Sequence, residues 1–283
     1  MRSFSSFHQD AYDSAICDSI LVQHHTSFHA NDASFHFHAD YEIFLFLGGD
    51  VDFYTEYAVC HLKRGHLIVC NDRELHRACH YGKVPYERIA IHFDHHLVEG
   101  LSTARTNLLG CFHVPKSEAN LAVLLTEEQI KTVLFLGHRL QELSACDQFG
   151  SDVLTLSYLS ELLVFVNARF LQMQPSGALA YHGLIAEVIA HIDKHLTSEL
   201  SLETIARAFS IDKYYLSHLF RSQTGNSLYH YILIKKVALA KLFLSQGKSV
   251  TETCELAGFY DYNNFIRTFK KITGIPPGKY QKR

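Results

Sequence analysis

Apolar positions come in short runs along the first part of the chain. Residues 41–47, 57–62, 66–70 and 88–93 are apolar runs, and Gly48-Gly49, Lys63-Arg64-Gly65 and Gly82 punctuate them. Many short strands with turn signals at close intervals predict a barrel or sandwich between residues 35 and 93. From Thr126 the period changes. Thr126-Glu127-Glu128-Gln129 reads as a helix start with acids in the first turn. Val133, Leu136, Leu140 and Leu143 then recur at spacings of three and four. A second helix is expected after Ser151, with Leu154, Tyr158, Leu162, Phe165 and Arg169 on one stripe. The pair predicts a helical hairpin packed on the barrel or against a second subunit. Gln172-Met173-Gln174-Pro175-Ser176-Gly177 reads as a linker, and the pattern beyond it is helical to the end.

That last third contains an internal repeat. Ala206 matches Cys254, and Ser210 matches Gly258, at an offset of 48. After one extra residue, Leu216, Phe220, Thr224 and Gly225 match Phe265, Phe269, Thr273 and Gly274 at 49. Each copy has the logic of a helix-turn-helix. A first helix begins at an N-cap serine, Ser201 or Ser249. A small residue sits where two helices cross, and a tight turn carries Ser210 or Gly258. Asp212 or Asp261 then caps a second helix. At about 100° per residue, Leu216, Leu219 and Phe220 point inward in the first copy, and Phe265, Thr268 and Phe269 in the second. Tyr214, Ser217, His218 and Arg221 point outward, as do Asn263, Ile266, Arg267 and Lys270. These groups can address base edges and phosphates; Arg267 suits guanine and Asn263 adenine. A helix from Ser227 to about Gln246 joins the copies, ending at Gly247. It spans about 30 Å, close to one turn of B-DNA at about 34 Å, which would seat the two second helices in successive major grooves.

Charge sharpens this picture. Residues 178–283 hold 14 Lys+Arg against 8 Asp+Glu, while the rest of the chain holds 12 against 21. A basic third on an acidic chain points to a polyanionic partner. The seven cysteines are odd in number, widely spaced and without a C-x-x-C, which predicts free thiols in a reducing cytosol. No uninterrupted apolar run approaches the roughly 18 residues of a membrane span. Met1-Arg2-Ser3-Phe4-Ser5 does not open a secretory signal.

The stretch Ala257-Gly258-Phe259-Tyr260-Asp261-Tyr262-Asn263-Asn264-Phe265-Ile266-Arg267-Thr268-Phe269-Lys270-Lys271, followed by Gly274-Ile275-Pro276-Pro277-Gly278-Lys279-Tyr280, resembles the DNA-binding domain of the AraC/XylS family of bacterial transcription regulators. Tyr214, Leu216, Phe220, Thr224 and Gly225 supply the first-repeat signature, and the resemblance spans about 184–282. It implies base reading by Tyr214, Ser217, His218, Asn263, Asn264, Ile266 and Arg267, and backbone contacts from Arg221, Lys236, Lys270 and Lys271. Three positions depart from the family pattern: Ser210 replaces a glycine, Thr253 an aliphatic residue and Ile234 a basic one.

The histidines gather at the other end, 15 of 20 before residue 178. His36, His38 and Glu42 share parity, so one continuous strand would aim them at one face, the lumen of a small barrel. With His76 they make a sensible site for a divalent metal. The H-x-H-x3-E…H pattern resembles the cupin superfamily, whose barrels serve as effector-binding domains in regulators of this type. The same residues would equally hydrogen-bond a small organic effector such as a sugar, and His92, His95 and His96 lie close by in sequence.

The expected fold is α+β and multidomain: a cupin-like barrel over 1–125, a helical dimerisation or packing segment over 126–173, a linker at 174–180, and two helix-turn-helix units joined by a linker helix over 181–283. The expected function is sequence-specific binding of double-stranded DNA by a cytoplasmic homodimer under effector control. No membrane partner, catalytic residue or obligatory cofactor is expected. Activation through RNA polymerase is what the family resemblance implies. The rival is a metal-dependent cupin enzyme fused to a DNA-binding tail.

Overall fold

The computed structural model describes residues 16, 19–28, 31–32, 35–38, 40–55, 58–82, 84–114, 121–146, 148–172, 179–180 and 183–281. Most of the expected linker, and the residues considered for a signal, lie outside these.

Two five-stranded sheets face each other. One runs β1 (Ile20–Ser27), β8 (Tyr86–Phe93), β3 (Tyr41–Gly48), β6 (His66–Cys70), β9 (Val123–Leu124). The other runs β10 (Leu179–Ala180), β5 (Ala58–His61), β4 (Val51–Thr55), β7 (His76–His80), β2 (Asn31–Asp32). All pairs are antiparallel. The sequence pattern missed β1, β4 and β7. Apolar and polar positions alternate in β4, while β1 and β7 carry only two or three apolar residues beside polar ones, so none forms the uninterrupted run that marks β3.

β3 is buried on both faces, which explains its continuous apolar pattern. Ile43, Leu45 and Leu47 face outward into a core shared with two helices, while Phe44 and Phe46 face the space between the sheets with Phe53, Ile68 and Cys70. The helix following the short α1 (His96–Glu99) is α2 (Glu127–Ser144). It opens on a capping box in which Thr126 and Gln129 satisfy each other's backbone N–H. It buries Val133, Leu136, Leu140 and Leu143. α3 (Ser151–Leu171) packs beside it on Thr155, Leu159, Leu162, Leu163 and Val166. The expected stripe on α3 is therefore corrected. Of its members only Leu162 is buried, and Leu154 is exposed. The helix is apolar nearly all round, so periodicity alone could not single out the inward face. By length and mean hydropathy (1.3) it would suffice to cross a bilayer, although no apolar run had suggested a span.

The remaining helices form the second region: α4 (Leu184–Lys194), α5 (Leu202–Ala208), α6 (Lys213–Thr224), α7 (Leu228–Ser245), α8 (Val250–Leu256), α9 (Tyr262–Thr273) and α10 (Pro277–Tyr280). One core collects Ile185, Ile205, Leu216, Phe220 and Tyr231, and it also admits Phe35 and Leu75 from the β-domain. A second core joins Val237, Leu244, Cys254, Phe265 and Phe269. The linker helix α7 borders both cores.

Candidate DNA-reading face and ligand site

The two repeats use the same local chemistry. Ser201 with Thr204, and Ser249 with Glu252, form capping boxes that start α5 and α8. Both turns close with equivalent backbone bonds, Ile211 N–H to Ala206 O at 3.0 Å and Phe259 N–H to Cys254 O at 2.9 Å. The turn residue is left-handed in each, φ 55° at Ser210 and 75° at Gly258. Asp212 accepts from the N–H groups of Tyr214 and Tyr215 to start α6, and Asp261 accepts from Asn264 N–H to start α9.

Leu216, Phe220 and Thr224 are buried under α6, and Phe265, Thr268 and Phe269 under α9. Tyr214, His218 and Arg221 stand exposed on the opposite face, with Ser217 half-buried. Asn263, Arg267 and Lys270 are exposed on α9. Asn264 is half-buried and its Oδ1 accepts from Thr268 Oγ1 at 3.4 Å. Ile266 is half-buried against the second core. Sequence reasoning passed over Tyr260 and Tyr262, which stand exposed near the start of α9 where phosphate is favoured by the helix N-terminus. Their signal was available as a Tyr-x-Tyr flanking the cap.

One expected phosphate contact is corrected. Lys236 is only 7% exposed; its ammonium donates to Gly258 O at 2.7 Å and lies over the rings of Phe259 and Tyr260. Residue 236 points from α7 into the second repeat, where it caps the turn carbonyl, and burial lowers its pKa. Lys271 is exposed and borders the crevice that holds His36 and Phe37 of the β-domain.

The second site lies between the sheets. Glu42 on β3 sits in register between Cys70 and His92 on its two neighbouring strands. His76 opens β7 on the facing sheet, and His36 pairs with it through an isolated bridge. His36 and His38 thus do not share a strand with Glu42, as their parity had suggested; the chain changes sheet before Tyr41. The donors converge all the same. Glu42 Oε2 is 3.0 Å from His76 Nε2 and 3.5 Å from His38 Nε2, and Glu42 Oε1 is 3.8 Å from His92 Nε2. The His36 ring lies 4.8 Å from that of His76. Nothing in the local pattern distinguishes His92 from His95 and His96. Only strand register brings it to Glu42, whereas His95 and His96 lie beside Asp94 and Glu99.

The hydrogen-bond direction at His76 fixes its chemistry. Its Nδ1 is 3.0 Å from Glu74 O, and a carbonyl only accepts, so Nδ1 carries the proton. Nε2 then faces Glu42 Oε2, and both atoms are buried without a well-formed hydrogen bond to the protein. A neutral imidazole would set one lone pair against another there. A cation or proton between them resolves the conflict. Burial would raise the Glu42 pKa, yet its contacts with His38 and His76 outweigh that and hold it well below the usual carboxylate range. Phe53 stacks on the His76 ring and fixes its plane. Imidazoles and a carboxylate in reach of one point fit a divalent transition metal, and the Nδ1–carbonyl bond is the outer support such ligands have. The donors of His36, His38 and His76 lie within 4.8 Å of one another, as do those of His38, Glu42 and His92.

A family model described as an AraC-like ligand binding domain matches residues 21–163, half of the chain, and one described as a helix-turn-helix domain matches 205–283. The uncharacterized HTH-type transcriptional regulator YtdP of Bacillus subtilis is 36% identical over 120 residues, which are 42% of this chain and 14% of YtdP. The multiple antibiotic resistance protein MarA of Escherichia coli is 31% identical over 98 residues, 34% of this chain and 77% of MarA. Among solved structures, the DNA-binding domain of AdpA in complex with a target DNA is 26% identical, covering 35% of this chain and 89% of that one, with a TM-score of 0.34.

Proposed function

The chain belongs to the AraC family of transcription regulators, with a ligand-binding domain followed by a helix-turn-helix DNA-binding domain, and on that premise we propose that it is a homodimer that reads a two-block DNA site under control of a divalent metal ion. The observation that carries the DNA half is the repeat: two recognition helices, α6 and α9, each held by its buried face and open on a polar one. Tyr214, Ser217 and His218 read one block, and Asn263, Asn264 and Arg267 the other, with Ile266 in partial contact. Arg221 and Lys270 address phosphates.

His36, His38, Glu42 and His76 hold the metal, with His92 as a further donor. Bound there, the ion cross-links the facing sheets and neutralises the buried carboxylate. A sugar hydrogen-bonding the same imidazoles is the alternative effector; three imidazoles, those of His38, His76 and His92, within 3.0–3.8 Å of one buried carboxylate favour a cation. Dimerisation falls to α3, which leaves Leu154, Val164 and Leu171 exposed at coiled-coil-like spacing. Activation through RNA polymerase in the cytoplasm, without catalysis, completes the reading.

Selection from a random duplex pool with the full-length chain, at fixed salt and with or without Zn2+, tests it. Enrichment of two blocks about one helical turn apart is expected, with about one metal per chain after purification without chelator. Only salt-sensitive binding without enrichment in any condition would overturn the DNA reading. A protein that holds no metal and responds to an aldose would replace the ion with a sugar.

A further inference from the structure

Cys70 is the last residue of β6 and pairs across the strands with Glu42 of β3. Directly opposed residues hold their Cβ atoms about 5 Å apart on one face of the sheet. Both side chains therefore enter the space between the sheets, Cys70 among Phe44, Phe53 and Ile68. His76 reaches the same point from the facing sheet. The donor atoms of Glu42, Cys70 and His76 lie within 4.8 Å of one another, and the three residues are 6%, 2% and 3% exposed. Among the described residues, Cys70 is the only cysteine gathered with a carboxylate and an imidazole in this way.

A buried cysteine is ordinarily a small apolar filler. Cys70 has a second relation to its surroundings, because its sulfur is within hydrogen-bonding reach of the His76 ring. Nδ1 of His76 donates to Glu74 O, so Nε2 is the nitrogen left to receive the thiol proton. The same Nε2 faces Glu42 Oε2 at 3.0 Å, and both of those atoms are buried without a well-formed hydrogen bond. Lone pairs on sulfur, nitrogen and oxygen thus converge from three strands on two sheets. With bonds of about 2.0–2.3 Å, donors around a tetrahedral ion stand about 3.5 Å apart. Small side-chain rotations bring these three atoms to that spacing.

We propose that Cys70 binds the metal of this site as a thiolate, together with Glu42 and His76, and so tunes the site to a thiophilic ion such as Zn2+. The proposal rests on the metal reading of the site and narrows it. The H-x-H-x3-E…H spacing that marks the other donors does not contain Cys70; strand pairing alone brings it in. Imidazole and carboxylate by themselves suit many divalent ions, whereas sulfur favours the softer ones and adds little for Mn2+ or Mg2+. On binding, the Cys70 sulfur–hydrogen bond breaks, the sulfur–metal bond forms, and one proton leaves to the buffer. One of the imidazoles already named, such as that of His38 at 3.5 Å from Glu42 Oε2, supplies a fourth donor.

The test uses the full-length chain, stripped of metal by a chelator that is then removed, in three forms: wild type, Cys70→Ser and Cys70→Ala. Far-UV circular dichroism verifies the fold of each. Co2+ stands in for Zn2+ because its complexes are coloured, and bound metal is counted separately after dialysis. Wild type is expected to hold one Co2+ per chain with a sulfur-to-cobalt charge-transfer band in the near ultraviolet, and both variants are expected to lose that band. Zn2+ affinity, measured against a chromophoric chelator, should fall at least about ten-fold in the variants, since losing a group that merely supports a ligand already costs that much. Mn2+ affinity should fall less than about two-fold, because a hard ion gains little from sulfur. Wild type that binds Co2+ without the band overturns the thiolate and leaves the metal reading standing. A band that persists in both variants also overturns it, because another cysteine then carries the signal. A wild-type chain that holds neither Co2+ nor Zn2+ removes the metal reading, and the thiolate with it.

Discussion

The turn of each helix-turn-helix unit offers a controlled comparison, because the same position is Ser210 in one and Gly258 in the other. Both residues are left-handed. A Cβ on Gly258 would lie 2.7 Å from Thr197 Cα and 2.8 Å from Thr197 O, which are backbone atoms that cannot swing aside. Gly258→Ala thus meets two costs. The left-handed conformation costs an L-residue about 1–2 kcal/mol, and the clash adds a displacement of chain typical of overpacking, about 1–3 kcal/mol. The expected loss is about 3 kcal/mol. Ser210→Gly removes only the conformational cost and gives back part of it in unfolded-state entropy, so a gain of about 0.5 kcal/mol is expected. The chain has no tryptophan, so urea unfolding followed by circular dichroism at 222 nm is the suitable assay. With a slope of about 1–3 kcal/mol per molar, Gly258→Ala should lower the midpoint of the helical transition by about 1–3 M. A wild-type midpoint would show that Thr197 yields, and that the turn is not the point of close approach described.

Other outcomes follow from single contacts. Arg267→Ala should cost about 1–3 kcal/mol of specific binding and relax preference at one base pair; equal weakening on every sequence would make Arg267 a phosphate contact. Lys236→Met should leave the salt dependence of DNA binding unchanged, whereas Lys270→Ala should reduce its slope by about 1; a matching drop for both would return Lys236 to the phosphates. Thr253→Val should stabilise by about 1 kcal/mol, since Thr253 is fully buried and its hydroxyl has no hydrogen-bond partner; a loss in urea midpoint would contradict this. His66 is buried, accepts from Lys63 N–H at 3.1 Å, and is pushed down to about 4 by burial and then by Lys63. An unfolded histidine titrates near 6.5, so as pH falls the unfolded state takes up the proton first. Stability is complete above about 6.5 and declines toward 4, by about 2 kcal/mol between pH 7.5 and 5. His66→Gln should flatten that decline, and an unaltered pH profile would assign it elsewhere.

The sequence disclosed what is local. The capping residues Thr126, Ser201, Asp212, Ser249 and Asp261 act within a few residues of themselves, and their pattern could be read directly. The repeat added a second copy against which to check each assignment. Glu42, His36, His38 and His76 were visible because cupin-like spacing marks them together. The role of His92 was not, since it depends on pairing with a strand about fifty residues earlier. The inward turn of Lys236 escaped because a lysine is assumed exposed until a carbonyl such as that of Gly258 is found for it. Asp72–Lys241 and Arg77–Gln223 join residues 169 and 146 apart, and no periodicity encodes such a meeting.

The linker helix α7 carries a consequence for the DNA itself. Tyr231, Ile232, Ile234, Val237, Ala240 and Leu244 are buried around its circumference, with Lys236 and Lys241 buried among them. A rod enclosed on so many sides cannot slide or bend to suit a longer spacer. Each base pair inserted between the two blocks would rotate one against the other by about a tenth of a turn, and the protein has no freedom to follow. The regulator should therefore treat its site as a single word of fixed length. One inserted base pair should weaken binding more than a mismatch inside either block does.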